Sequence, residues 1–207
     1  HDGVALDGSD SSAALAKVLK APVVLIVDTE GMTRSIAPLL LGFSSFDPEV
    51  NIAGVVFNRV ATPRQEAKLG AAVETFTDIP VLGALPRLPQ MVVRERHLGL
   101  TTPGDTDAGD RINAIRSLIE DHVDTDAVLA IARSAPHIGR MGLPVMADRK
   151  DVTIAVARDE AFCFYYEDDL ETLERAGAKL EFFGPIHDDR LPRNDAIILG
   201  GGFPETH

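Results

Sequence analysis

The stretch Ala21-Pro22-Val23-Val24-Leu25-Ile26-Val27-Asp28 decides the fold. It is a short continuous apolar run, rich in β-branched residues and closed by an acid, which predicts a strand buried on both faces as in a parallel sheet. Upstream, Ser11 or Ser12 can cap a helix over 13–19, and downstream Thr33 can cap another over 34–41. The same alternation then repeats. Residues 51–58 read as a second strand, Pro63 opens a helix that runs through Phe76, and 80–85 form a third short strand. Strand and helix alternate with no hairpin signal between the strands, so the expected architecture is α/β with a parallel sheet built from βαβ crossovers.

Farther out, the pattern from 105 to 133 is helical, with Ile112, Ile115, Leu118 and Ile119 on one face and a second helix opening near Asp124 and Thr125. Two prolines and two glycines without a sustained period mark 134–150 as a linker. Beyond it the β-type runs resume at 152–157, 179–183 and 196–199, with a helix over 169–176 that stops at Gly177. The expected organisation is therefore one α/β domain over 1–133, a linker over 134–150, and the start of a second α/β domain over 151–207. So short a second unit buries little surface by itself, which predicts that the sequence is a piece of a longer protein.

Composition narrows the function classes. Hydrophobic residues make up 45% and charged residues 25%, a globular balance that argues against disorder, collagen and coiled coil. Twenty basic against 32 acidic residues give a net charge of −12, which opposes binding along a phosphate backbone, so nucleic acid is not an expected partner. No window is apolar enough to cross a bilayer, and the acidic opening HDGVALDGSD is unlike an export signal. A single cysteine, Cys163, rules out an internal disulfide, and no Cys or His pair has zinc-ligand spacing, so a cytoplasmic protein without a structural metal is expected.

Several residues invite a chemical reading. Gly200, Gly201 and Gly202 follow a strand, where successive amide N–H groups can face an anion or oxyanion, or simply make a strand-to-helix turn. Asn58 ends a strand and can read a purine edge by donating and accepting at once, or serve as a turn residue; Pro86 and Pro89 shape the neighbouring loop. Asp2, Asp7 and Asp10 suit a cation-binding or substrate-orienting loop, or a solvated acidic terminus. Asp28 can serve a metal or only close its strand. Arg94 and Arg96 in Arg94-Glu95-Arg96-His97 can clamp carboxylates or phosphates, or lie in a surface charge run. Cys163 sits among Phe, Tyr and acids, which predicts a raised thiol pKa and a buried structural role. No GxxxxGK[ST] phosphate loop occurs, so a nucleotide fold would have its phosphate cradle before His1.

The segments HDG at 1–3, APVVLIVD at 21–28, GVVFNRV at 54–60, PVLGALPR at 80–87, ERHLGL at 95–100, IAVARDEAFCFYY at 154–166 and LGGGFPE at 199–205 resemble, in order, the cobyrinic acid a,c-diamide synthases. The likeness to cobyric acid synthase and to the synthase that amidates nickel-sirohydrochlorin is more distant. The resemblance implies a dethiobiotin-synthetase-like P-loop-type domain followed by a class I glutamine amidotransferase domain. It implies ATP and Mg²⁺ as cofactors, a corrinoid tetrapyrrole and glutamine as substrates, and amidation of the a- and c-carboxylates through acyl phosphates. A dimer is the family-based expectation.

Carried over by position, Asp2 falls in a segment associated with carboxylate activation, Asn58 where the nucleotide fold reads adenine, and Pro86 in the loop against that base. Gly201 and Gly202 match the loop that supplies oxyanion N–H groups, while Arg96 and His97 acquire no specific role. The P-loop and the glutaminase cysteine with its partners lie outside 1–207, so the stretch alone is expected to be inactive and its parent to be the amidotransferase. The competing classes are a dethiobiotin-synthetase-type ligase or carboxylase and a non-catalytic binding module; the stretch 151–207 argues against the first.

Overall fold

The computed structural model of the protein describes residues 3–88, 108–139, 142 and 151–207. The chain divides into two compact units, the first built on 3–88 and 110–139 and the second on 151–207. Among the described residues no helix is long and apolar enough to cross a membrane.

The first unit alternates helix and strand: α1 Ser12–Leu19, β1 Val23–Asp28, α2 Ile36–Phe46, β2 Ile52–Val60, α3 Pro63–Phe76, β3 Val81–Pro86, α4 Ala108–His122 and α5 Thr125–Arg133. The strands pair in parallel in the order β1-β2-β3. Side-chain capping explains three helix starts. Ser11 Oγ accepts from the Ala14 amide, Thr62 Oγ1 from Gln65 with Pro63 in the first turn, and the Asp124 carboxylate from Ala127. Thr33 is not the cap of α2: the amides of Ile36 and Ala37 reach back to Thr33 and Arg34 through a tighter turn, and α2 begins at Ile36.

The central strand is β2. Its Val55 and Phe57 pack with Ile36, Leu40, Leu69 and Val73 of α2 and α3, while Val56 turns to the opposite face with Leu82, Leu85, Ile119 and Ile131. Burial on both faces, expected for 21–28, therefore belongs to β2. Strand β1 lies at the edge of the described sheet; only its Val27 is buried, and Ile26 is 68% exposed.

In the second unit β4 Val152–Ala157 pairs in parallel with β6 Ala178–Phe183 and β7 Ala196–Ile198, with α6 Glu167–Arg175 between β4 and β6 in sequence. Helix α6 starts two residues before the expected position, because Glu167, Asp168 and Asp169 together place negative charge at its N-terminus. Ile154, Val156, Leu170 and Ala178 form the core. Two elements were not expected: β5 Phe162–Phe164 and β8 Gly201–Gly202, which pair antiparallel. The glycine run is thus partly a strand, not a free loop. A short 3₁₀ turn, Pro204–Thr206, follows.

Candidate functional site

Ligands of open parallel sheets sit beyond the carboxyl ends of the strands. In the first unit that edge gathers Asp28 and Glu30 after β1, Asn58 and Arg59 at the end of β2, and Pro86 and Arg87 at the end of β3. The register places Asn58 beside Asp28 and Pro86 beside Val60. Asn58 and Pro86 therefore lie at the same end of neighbouring strands.

Asn58 is held by its backbone. Its carbonyl accepts from both the amide and the hydroxyl of Thr29, each at 2.9 Å. Thr29 is wholly buried, and with its hydroxyl on Asn58 O and its own carbonyl accepting from Gln65 Nε2 at 2.8 Å its side chain is satisfied. Gln65 also donates to Met32 O and accepts from the Ala61 amide, tying α3 to the strand ends. Beyond Asn58 the chain turns into the left-handed region at Arg59 (φ 61°), where Asn58 Oδ1 accepts from the Arg59 amide at 3.0 Å. Asn58 Nδ2 has no partner among the described residues. A half-buried amide with a fixed backbone and an unengaged donor fits the edge of a heterocyclic base.

Around it runs a chain of charges. Arg59 Nη1 bonds Asp28 Oδ2 at 2.8 Å, its other terminal nitrogen bonds Glu30, and Arg87 Nη1 bonds Glu30 Oε1 at 2.8 Å. The Glu30 amide and then the Arg59 guanidinium hold the Asp28 carboxyl below its ordinary pKa. Asp28 closes β1 and is paired with Arg59. Among the described residues no group of three His, Cys, Asp or Glu side chains is placed to hold a metal.

Asp2 and the segment 94–97 lie outside the described residues. Asp10 organises the opening loop: its carboxylate accepts from the amides of Val4 at 2.8 Å and Ala5 at 3.2 Å, bonds that lower its pKa. Asp7 accepts from the Ser9 amide in the same way. These two acids are loop-forming ligands of backbone N–H groups.

In the second unit the strand ends are finished by glycine and a tyrosine. Gly202 lies against β5 so closely that a Cβ would stand 1.9 Å from the Ala161 carbonyl oxygen. The Phe203 amide donates to that carbonyl at 2.9 Å, and the Phe203 ring is buried edge-on to Phe164. Gly200 donates to Tyr165 Oη at 2.7 Å, and Tyr165 Oη donates to Ala157 O. Asp159 caps the neighbouring turn, accepting from the amides of Ala161, Phe162 and Ile186. Burial opposes its ionisation, yet these amides together hold its pKa low. Cys163 is half-buried, less enclosed than expected, and burial followed by the Asp159 charge pushes its thiol pKa up. It lacks the environment of a nucleophile.

Sequence reasoning reached Asn58, Pro86 and the glycines but missed the roles of Thr29, Gln65, Glu30, Arg87, Asp159 and Tyr165. For Thr29, Gln65, Glu30 and Arg87 the partners lie tens of residues away and meet through the parallel sheet, which sets Asp28 opposite Asn58; Asp159 and Tyr165 also bond Ile186 and Gly200, 27 and 35 residues away.

Family models match two parts of the chain: an AAA domain over residues 3–95 and a CobB/CobQ-like glutamine amidotransferase domain over residues 153–207. The cobyrinate a,c-diamide synthase of Magnetococcus marinus is 42% identical over 99% of this chain and 45% of its own length. That of Methanosarcina acetivorans is 40% identical over 94% of this chain and 42% of its own, and that of Listeria innocua 39% over 99% and 46%. No solved structure matches the chain. The chain spans a little under half the length of these curated relatives, and across that span, through both units, it is similar to cobyrinate a,c-diamide synthases.

Proposed function

We propose that the full-length protein amidates the a- and c-carboxylates of cobyrinic acid, or of its metal-free form, using ATP and taking nitrogen from glutamine. The observation that carries this reading is the identity of about 40% to cobyrinate a,c-diamide synthases over 94–99% of the chain, a span that takes in both units. A dethiobiotin-synthetase-type enzyme has no use for the glutamine amidotransferase match over 153–207, which disfavours that alternative. In this reading 1–133 is the carboxyl-terminal portion of the synthetase domain, 134–150 the linker and 151–207 the beginning of the glutaminase.

A carboxylate is inert to ammonia until one oxygen becomes a leaving group, and ATP supplies the phosphoryl group that makes it one. This chain's part is binding and orientation. Asn58 donates through Nδ2 to the base, its backbone fixed by Thr29, and Pro86 borders the same strand edge. Arg59 and Arg87 set the charge there, their guanidiniums spread over Asp28 and Glu30. Mg²⁺ belongs to such phosphoryl transfer; Asp28 and Glu30 are engaged with guanidinium donors and Asp10 with amides, and among the described residues no group of three His, Cys, Asp or Glu side chains is placed to hold it. Asp2 is assigned to the carboxylate-activating segment. Gly201 and Gly202 present backbone N–H groups toward the glutamine amide oxygen as it gains negative charge. The resemblance carries with it a cytoplasmic homodimer, checked by light scattering on the full-length protein.

The test is turnover of cobyrinic acid by the full-length protein with ATP and glutamine, with products identified by mass. Asn58→Ala should raise the KM for ATP about tenfold, the loss of one directional hydrogen bond, with little change in glutaminase turnover. An unchanged KM for ATP removes Asn58 from the base site.

A further inference from the structure

Tyr165 lies beyond the residues assigned so far, and its hydroxyl is used twice. It donates to the carbonyl of Ala157, the last residue of β4, and accepts from the amide of Gly200, the second residue after the β7 end. A phenol has one proton to give, so both ends of this bridge are fixed by one atom. The ring is held too: it packs on the Ile154, Val156 and Leu170 core, and a Cβ at Gly200 would stand 2.4 Å from its Cζ. Gly200 is glycine because the tyrosine ring occupies the place of its side chain.

This bridge divides the glycine run. The Gly200 amide is committed to Tyr165 and the Phe203 amide to Ala161 O, and between them Gly201 and Gly202 pair with β5 as β8. From this geometry we infer that Tyr165 is a positioning residue for glutamine hydrolysis. It acts through its hydroxyl to fix the Leu199–Gly200 peptide, one residue before Gly201, and thereby the direction of the oxyanion donors that follow. The inference rests on the glutaminase reading of the second unit. Its chemical reason is that oxyanion donors lose most of their value when misplaced by about 1 Å, a displacement that costs on the order of 100-fold in rate.

The experiment is Tyr165→Phe in the full-length enzyme, which keeps the ring against Gly200 and deletes the bridge. Turnover is measured with glutamine and, separately, with ammonium chloride, which bypasses glutamine hydrolysis. The expected result is a fall of about 10- to 100-fold in glutamine-driven kcat, KM for glutamine within about threefold of the wild type, and a correspondingly lower ratio of glutamine-driven to ammonium-driven turnover. Equal losses with both nitrogen sources would make Tyr165 a general structural residue and overturn the inference, as would glutamine-driven kcat within about twofold of the wild type. Wild-type enzyme that hydrolyses no glutamine would instead overturn the glutaminase reading itself. A double-mutant cycle adds a check. Gly200→Ala should lower the same ratio in the wild type but cost little further in a Tyr165→Ala background, where the ring is gone; additive losses would contradict the bridge.

Discussion

The two parallel sheets finish their strands by different chemistry. In the first unit the carboxyl ends of β1, β2 and β3 are tied together by half-exposed charges, Asp28, Glu30, Arg59 and Arg87, around one well-anchored asparagine. In the second, the ends of β4 and β7 are joined by backbone groups, one phenol and glycines against which no side chain fits. The first arrangement is adjustable: guanidiniums can change partners when an anion arrives, at the small cost of exposed ion pairs. The second is fixed by steric exclusion. One edge suits a bound, exchangeable ligand, and the other suits a preorganised set of N–H donors.

This contrast can be tested separately in each unit, because the chain has no tryptophan and its two tyrosines, Tyr165 and Tyr166, both lie in the second unit. Tyrosine fluorescence reports the second unit, while far-ultraviolet circular dichroism reports both. The largest effect is expected for Gly202→Ala, whose Cβ would collide with the Ala161 carbonyl. It should destabilise the second unit by about 3 kcal/mol or more, seen as a shifted urea midpoint in tyrosine fluorescence. Asn58→Ala comes next. It removes the acceptor for the Arg59 amide, and the chain should lose about 1 kcal/mol in the circular dichroism transition while the fluorescence midpoint stays put.

A smaller effect separates charge from backbone at Arg59. Arg59→Ala loses the ion pairs and keeps the left-handed strain, whereas Arg59→Gly loses the same pairs and relieves it. The glycine variant should be the more stable of the two by about 0.5–1 kcal/mol, a difference that persists at high salt. Equal stabilities would mean that Arg59 is not strained.

The smallest effect concerns His187, whose Nε2 meets Glu160 Oε2 at 2.7 Å on the surface of the second unit. That hydrogen bond raises the His187 pKa, reinforced by the charges of Glu160, Asp159 and Asp188. A raised histidine stabilises the fold below its unfolded pKa near 6.5 and loses that contribution as pH rises through the folded value. Glu160, lowered by its own backbone amide and by His187, requires pH above its own titration. His187→Gln should therefore lower Tm by about 1–2 °C near pH 6 and by nothing measurable at pH 9. A difference unchanged between the two pH values would remove the ion pair from the account.

Much of the fold was legible because its signals are local. Pro63 and Phe76 bound α3 as the periodicity predicts, and the apolar runs at 52–57, 81–85 and 152–157 all fall in strands. What misled was the assumption that an apolar run is buried wherever it lies. The 21–28 run forms an edge of the described sheet, whereas the interior strand proves to be β2, a matter of strand order that no single segment encodes. The glycine run was legible as a feature but not as a strand, because its pairing with Phe162 and Phe164 depends on a partner nearly forty residues earlier in the chain. The Asp28–Arg59–Glu30–Arg87 chain was hidden for the same reason. At each of these places the deciding partner is distant in sequence and near only through the sheet register.

The measurement closest to the central claim follows nitrogen. Full-length protein is incubated with cobyrinic acid, ATP and glutamine labelled with ¹⁵N in its side-chain amide, and the corrinoid product is examined by mass spectrometry. The account predicts ATP-dependent formation of a diamide carrying two labelled nitrogens, consistent with the activity that names the relatives. Product without label, or no amidation while ATP and glutamine are both present, would contradict it.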